Sequence, residues 1–282
     1  MTSPKVLENN ASPDVKSLFF DTTVPNSARI FDYFMGGTAN YEVDRAAAKQ
    51  LAEIWPSLPK ITRLRRAFIQ EAAQVLYEQG FRQFLDLASG LPTNDHIHTV
   101  LPEARVIYSD VNPVAISYGE SYLAQLENVA YIYGNAAEMD NILNHETIKH
   151  LFNPGEKVAI GINALTIFLP QPVIQTMAQK LYDWAPPGSA IFVGFQSRRT
   201  ANITPEYLQV INIFSQAGMP IWLYTTDEIL TMLSPWSLNH FSPLVQFLGL
   251  PDDFLTPAEM SVPEMEINAA FLAKPEASGE SS

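Results

Sequence analysis

The sequence predicts a doubly wound α/β fold of seven strands, with helices on both faces of the sheet. Three observations carry that expectation. Seven short apolar runs recur between residues 82 and 273, most of them separated by stretches with helical character. The runs are continuous and do not alternate with polar residues, as strands buried on both faces require. Strands that alternate with helices in this way build a parallel sheet.

The elements follow in chain order. Residues 25–79 read as all-helical: SARIFDYFMGG (27–37), EVDRAAAKQLAEIW (42–55) and ITRLRRAFIQEAAQVLYEQG (61–80), the last closed by Gly80. This is more helix than a sheet needs at its start, and it predicts a helical cap over residues 21–80. The strands then fall at RQFLDLA (82–88), ARVIYSD (104–110), VAYIYGN (129–135), KVAIGINAL (157–165), SAIFVGF (189–195), IWLY (221–224) and INAAFLA (267–273). PVAISYGESYLAQL (113–126) and PQPVIQTMAQKLYDWA (170–185) both open on proline in a first helical turn, and Pro186-Pro187-Gly188 stops the second. TPEYLQVINIFSQAG (204–218) has Thr204 as N-cap and Gly218 at its end. A ligand-binding domain is therefore expected over 81–275. An aromatic-rich insertion at about 225–262 would lie over the carboxyl edge of the sheet, where α/β ligands bind. Residues 1–20 and 276–282 read as loosely held tails.

Composition limits what such a fold can do. Thirty acidic against seventeen basic residues leave a formal charge of −13, which repels polyanions and argues against a nucleic-acid partner. Cysteine is absent, which removes disulfides, thiolate metal sites and cysteine nucleophiles together. The N-terminus has no apolar stretch behind basic residues, and no window reaches about 18 consecutive apolar residues. A cytoplasmic protein with no membrane partner is the expectation.

The floor of the ligand crevice is FLDLASGLPTNDHIH (84–98). Asp86 ends the first strand, and Ala88, Ser89 and Gly90 form the turn behind it. A pyrophosphate would call for the glycine density of G-x-G-x-x-G, and only Gly90 is present. An acid here suits S-adenosylmethionine, with its ammonium, sulfonium and ribose hydroxyls, although an ordinary strand-to-helix turn has the same pattern. Asp110 ends the second strand, with Val111 beside it. It either accepts hydrogen bonds from a ribose diol or N-caps the helix near Pro113. Asn135 and Ala136 after the third strand either read an adenine edge or make a turn. Asn163 after the fourth either holds the methionine part of the ligand or satisfies buried backbone. An NAD-type oxidoreductase and a non-catalytic cofactor-binding protein share parts of this pattern. His96 and His98 lack a third ligand, so no metal site is expected. Neither a G-x-S-x-G elbow nor a phosphate-binding G-x-x-x-x-G-K-[ST] loop is present.

Two motifs add a resemblance. VPNSARIFDYFMGGTANYEVDRAAA, followed about 60 residues later by RQFLDLASGLPT, resembles the bacterial S-adenosylmethionine-dependent methyltransferases once catalogued as a domain of unknown function, DUF574. The matching residues include Ala28, Arg29, Asp32, Tyr33, Gly36, Gly37, Asn40, Asp44 and Arg45, then Gln83 to Asp86 and Ser89 to Thr93. The resemblance runs over residues 22–275 and implies a Rossmann-like class I methyltransferase sheet, mostly parallel with an antiparallel last strand, plus an N-terminal helical extension. By that analogy Asp86, Ala88, Ser89 and Gly90 line the methionine side, Asp110 holds the ribose, and Asn135 with Ala136 flanks the adenine. The segment through Gly36 would close over the cofactor, with Arg29 available to a carboxylate and Tyr33 near the transferred methyl. Three residues depart from the family pattern: Ala88 replaces a glycine, Asn135 an aspartate and Thr166 a histidine. Tyr33 and His98 lead the candidates for a catalytic role, with Asp32, His96 and His240 behind them. The expected acceptor is a small metabolite, in keeping with secondary metabolism, in a pocket lined by Trp222, Trp236 and His240 unless those rings are core.

Overall fold

A computed structural model of the chain describes residues 21–92, 95–199, 205–216, 220–256, 259 and 265–276. Strands β1 (Gln83–Leu87), β2 (Arg105–Asp110), β3 (Val129–Tyr133), β4 (Val158–Gly161), β5 (Ala190–Arg198), β6 (Ser237–Pro243) and β7 (Met265–Ala273) form one sheet in the order β3-β2-β1-β4-β5-β7-β6. The β1–β5 strands pair in parallel, and β7 lies antiparallel between β5 and β6. The chain steps from β1 to β2 on one side and returns to β4 on the other. That reversal opens a crevice beyond the carboxyl ends of β1 and β4.

Helices α1 (Ser27–Phe34), α2 (Glu42–Ile54) and α3 (Leu58–Glu78) precede the sheet. After β1 come α4 (Ile97–Val100), α5 (Pro113–Tyr122), α6 (Met139–Leu143), α7 (Glu146–Leu151), α8 (Gln171–Trp184), α9 (Pro205–Gln216), α10 (Thr226–Met232) and α11 (Leu244–Phe247). Two apolar layers cover the sheet. Phe68 of α3 packs with Phe84, Tyr108 and Phe192 on one face, and Ile174 and Leu181 of α8 pack with Leu85, Ile107 and Ile191 on the other. Because strand side chains alternate between faces, a strand covered on both sides is mostly apolar, and all five residues of β1 are buried, the polar Gln83 and Asp86 included.

The sixth strand is not where the apolar run placed it. Residues 221–224 are extended but form no ladder; Trp222 donates its amide to the Ile167 carbonyl, and Arg198 donates to that of Tyr224. The strand is β6, SLNHFSP, which lies at the edge of the sheet with most of its side chains exposed, so no apolar run marks it. The described residues of 225–262 supply α10, β6 and α11, and none of them lines the cavities at the carboxyl edge, so the expected cover over the crevice does not come from these residues. The largest differences in length are at β4, which ends at Gly161, and α5, which ends at Tyr122, each about four residues before the end of the run that predicts it. Thr204 and Gly218, the expected caps of α9, lie outside the described residues, as do residues 1–20 and 277–282. Among the described residues no helix is long and apolar enough to cross a membrane.

The N-terminal motif is held together by its own polar side chains. Arg29 Nε donates to Asp44 Oδ2 at 2.7 Å, an ion pair whose side chains are 3% and 0% exposed. Its Nη2 donates to the carbonyls of Val24 and Asp21. Asp44 also accepts from the amides of Asn26 and Tyr41, so it ties the start of α1 to the start of α2. One layer further in, Asn40 donates to Asp32 Oδ2 and to the Gly37 carbonyl, and Arg45 donates to the Asn40 side chain. A Cβ on Gly37 would fall 2.0 Å from Asp32 Oδ1, which is why glycine stands there.

Burial pushes the Asp44 carboxyl up, but the hydrogen bonds from Arg29, Tyr41 and Asn26 outweigh it and the pKa is lowered. A lowered acid stabilises the fold above its unfolded pKa and loses that contribution as pH falls through the folded value. Asp44→Asn leaves Arg29 buried without its counter-ion and is expected to cost about 3–5 kcal/mol at pH 7. Urea unfolding should show that gap closing in acid, where the wild-type carboxyl is itself protonated.

Candidate functional site

Two cavities meet at the carboxyl edge of the sheet. The first, about 160 Å3, lies between the ends of β1 and β4 and helices α1 and α3; the second, about 340 Å3, lies over the ends of β2 and β3. They share Ala28 and Phe31 of α1, Leu87, Ala88 and Gly90 after β1, and Leu165 and Phe168 after β4. Together they form one bent cleft with Ala88 at its elbow.

Asp86 dominates the first cavity. It is 1% exposed, and neither carboxylate oxygen has a hydrogen-bond partner. Burial raises its pKa to about 7, against smaller lowerings from the charge of Arg66 and from the nearby Ser89 hydroxyl and Asn163 amide, neither of which closes to a full hydrogen bond. Gly161 on β4 lies so close that a Cβ there would come within 2.3 Å of Asp86 Oδ1. Asn163 anchors its Oδ1 on the amide of Gly194, and its buried Nδ2 is left without a partner. Ala88 and Ala164 hold φ of 54° and 55°, a left-handed conformation that disfavours a side chain. Ser89 turns inward, donating its hydroxyl to the Asp86 carbonyl at 2.6 Å.

The second cavity is built on Asp110. Its Oδ2 accepts from the Gly90 amide at 2.9 Å and its Oδ1 from the Asn112 amide at 2.8 Å, and burial raises its pKa. Each oxygen keeps a lone pair for a hydroxyl donor. The N-cap of α5 is Asn112, not Asp110. Asn135 accepts from the Ala137 amide and donates to Glu138, so it shapes the turn while it lines the cavity beside Val111 and Ala136.

The helices over the first cavity contribute residues that the sequence reading passed over. Arg65 and Arg66 of α3 both line it, as do Met35 and Thr62, beside Asp32, which the sequence had already put forward as a candidate. Arg66 sits with Nη1 2.5 Å from His96 Nε2 and Nε 3.7 Å from Asp95. Arg65 is 8% exposed, and its Nε and Nη2 have no partner among the described residues. Its signal was legible: Ile61, Thr62, Arg65, Phe68, Ile69 and Ala72 form the buried stripe of α3, and a charge on such a stripe calls for a reason. Asp32 Oδ1 is also buried and unpaired, and burial raises its pKa despite the hydrogen bond from Asn40.

The cleft thus gathers Asp86, Ala88, Ser89, Gly90, Asp110, Val111, Asn135, Ala136 and Asn163. Other candidates lie elsewhere. Arg29 is consumed by Asp44, and Tyr33 packs its ring against Phe34 outside the lining of either cavity. Gly36 bounds a separate groove with Tyr118 and Tyr122. His98 is buried with its Nδ1 3.0 Å from the Tyr108 hydroxyl, and burial lowers its pKa. Trp236 is core on the opposite face, donating Nε1 to the Ala178 carbonyl against Tyr182. His240 lies beside Phe247 and Phe271, in a hollow with Gln79, Lys157 and Gly188 at the amino ends of the strands. Trp222 lines neither cavity.

Comparison with known proteins agrees with this geometry. Residues 14–246 match the model of the S-adenosyl methyltransferase family. A Thermobifida fusca YX protein described as a candidate methyltransferase is 27% identical, with a TM-score of 0.78 over 90% of this chain and 97% of its own. A DUF574 family protein of Streptomyces avermitilis MA-4680 is 25% identical, again with a TM-score of 0.78, over 90% of this chain and 99% of its own. At 11% identity, a Streptomyces coelicolor A3(2) geranyl diphosphate C-methyltransferase shares the fold alone, with a TM-score of 0.52 over 89% of this chain and 86% of its own. No curated protein matches the chain.

Two outcomes follow from the cleft itself. A raised acid destabilises the fold as pH climbs through its folded value, here about 7 for Asp86. Asp86→Asn should therefore raise the melting temperature at pH 8, and that gain should shrink towards pH 5. Ala88→Gly relieves the left-handed strain and should stabilise by about 1 kcal/mol in a denaturant titration.

Proposed function

The chain belongs to the S-adenosyl methyltransferase family, with S-adenosylmethionine as cofactor, and from that premise we propose that the bent cleft methylates a small-molecule acceptor. The single observation that carries the reading is the elbow at Ala88, where a cavity with an unpaired buried acid meets one floored by a second acid. The residues fit the cofactor. Asp86 would be the partner for an ammonium, since its two oxygens are buried and form no full hydrogen bond, with only the Ser89 hydroxyl and Asn163 amide near enough to ease the charge. Arg66, the cation whose charge Asp86 feels, is the partner for the adjoining carboxylate, the role Arg29 cannot fill. Asp110 would take the ribose hydroxyls and Val111, Asn135 and Ala136 would flank the adenine.

When bound, S-adenosylmethionine supplies a methyl group on a sulfonium, transferred by in-line displacement. The protein's part is alignment and exclusion of water, worth roughly 7–11 kcal/mol for well-oriented reactants. Phe31, Leu165 and Phe168 wall the elbow with apolar surface on both sides of Ala88. An acceptor that must lose a proton would give it to Asp32. Asp32 lines the first cavity with its Oδ1 unpaired, and burial has already raised its proton affinity. The formal charge of −13 and a narrow, largely apolar cavity favour a small metabolite over a polyanion.

Calorimetry with S-adenosylmethionine tests the assignment. Asp110→Ala removes hydrogen bonds to a charged group and should weaken binding by about 10- to 100-fold; an unchanged affinity would sink the ribose role. Affinity of the wild type for S-adenosylhomocysteine should fall by up to tenfold per pH unit below about 7, as Asp86 is protonated and loses its attraction for the ammonium. In Asp86→Asn the binding should be weak and flat with pH. Asp32→Asn should lower kcat with little change in cofactor affinity, measured by methyl transfer to whichever acceptor is found.

A further inference from the structure

The first cavity holds one cation more than the cofactor can use. The methionine end of the cofactor is a zwitterion: its ammonium is matched by Asp86 and its carboxylate by Arg66. Arg65 is left over. It is more than nine-tenths buried and lines the same cavity with Nε and Nη2 unpaired among the described residues. Two carboxylates line the same cavity, Asp86 and Asp32, but among the described residues neither forms an ion pair or hydrogen bond with Arg65, and Phe31, Met35, Thr62, Ile69 and Phe168 carry no charge. Arg66, by contrast, already leans on His96 and Asp95. Burying a guanidinium without a partner costs several kcal/mol, and a purely structural position on the buried stripe of α3 would be better filled by leucine or methionine. The lining also sets the size of the missing anion. One guanidinium in an apolar wall balances one negative charge, and its planar fork matches a carboxylate in bidentate fashion.

We propose that Arg65 is the acceptor-recognition residue of this site, and that the acceptor is a small, largely apolar molecule carrying a carboxylate. The apolar body of the acceptor would lie along Met35, Ile69 and Phe168, with its carboxylate on Arg65 and its methylated atom towards the elbow at Ala88. The inference rests on the reading of the cleft as a methyltransferase site.

The test uses the full chain saturated with S-adenosylhomocysteine and titrated with benzoate, phenylacetate and octanoate, each beside its neutral amide, and with phenyl phosphate. At least one carboxylate should bind about tenfold or more tighter than its amide. Arg65→Gln should erase that preference while affinity for S-adenosylhomocysteine stays within about twofold, and Arg65→Lys, which keeps the charge without the fork, should retain part of it. Arg65→Gln breaks no hydrogen bond among the described residues, so its melting temperature should equal or exceed that of the wild type. A tenfold loss of S-adenosylhomocysteine affinity in Arg65→Gln would overturn the proposal by assigning Arg65 to the cofactor. So would the absence of any preference for carboxylate over amide, its persistence in Arg65→Gln, or tighter binding of phenyl phosphate than of every carboxylate. A wild-type chain that fails to bind S-adenosylhomocysteine overturns the cofactor assignment itself, a separate failure visible before any acceptor probe is added.

Discussion

An acid and a base stand dry and unmatched at the carboxyl edge of this sheet, and the surrounding structure is organised around keeping them so. Asp86 has no donor on either oxygen, and Arg65 has no acceptor on two of its nitrogens among the described residues. In water each would be solvated; in the cleft each raises the free energy of the folded chain and lowers that of a complex with a ligand of opposite charge. Such groups persist only when their neighbours over-determine their positions. Asp86 is the fourth residue of a strand buried at every position, with Gly161 fitted against its carboxylate. Arg65 is carried by a 21-residue helix whose other inward residues are packed core.

The same logic assigns the N-terminal helices their role. The motif that most marks the family, from Arg29 to Arg45, puts most of its polar residues into its own scaffold. Arg29 and Asp44 neutralise each other, and Asn40 joins Asp32, Gly37 and Arg45. What the motif delivers to the cleft is a wall, through Ala28, Phe31 and Met35, and one carboxylate, through Asp32. Polar residues beside a site are easily taken for ligand contacts, and here their hydrogen bonds show that they hold α1 and α2 together next to the cleft.

The parallel strands were legible because burial on both faces demands apolar residues at every position, and that demand leaves a continuous run. β6 escaped the same rule because an edge strand with one open side can be polar, and the apolar IWLY beside it has no strand to pair with. The acids at strand ends were legible for a related reason. Asp86 and Asp110 stand where an apolar run breaks, and in a doubly wound sheet such breaks border the crevice. The aromatic residues of the late segment carried no comparable signal. Trp236 and His240 differ by four residues, yet one is core on a face away from the cleft and the other lies at the opposite end of the strands.

Local physics therefore settled the parallel strands, most of the helices and the two acids on the edge of the sheet, because propensity, periodicity and strand ends are properties of neighbouring residues. Which charges stay unpaired is a different kind of fact. Arg29 and Arg65 are both arginines in the N-terminal helices, and nothing within either helix separates them. One is neutralised by Asp44, fifteen residues on, and the other faces a cavity whose walls come from α1, α3 and the turns after β1 and β4. Pairing depends on long-range distance, and distance between elements exists only once the helices are docked on the sheet. Only the tertiary structure could decide which arginine was spent on the scaffold and which was kept for a ligand.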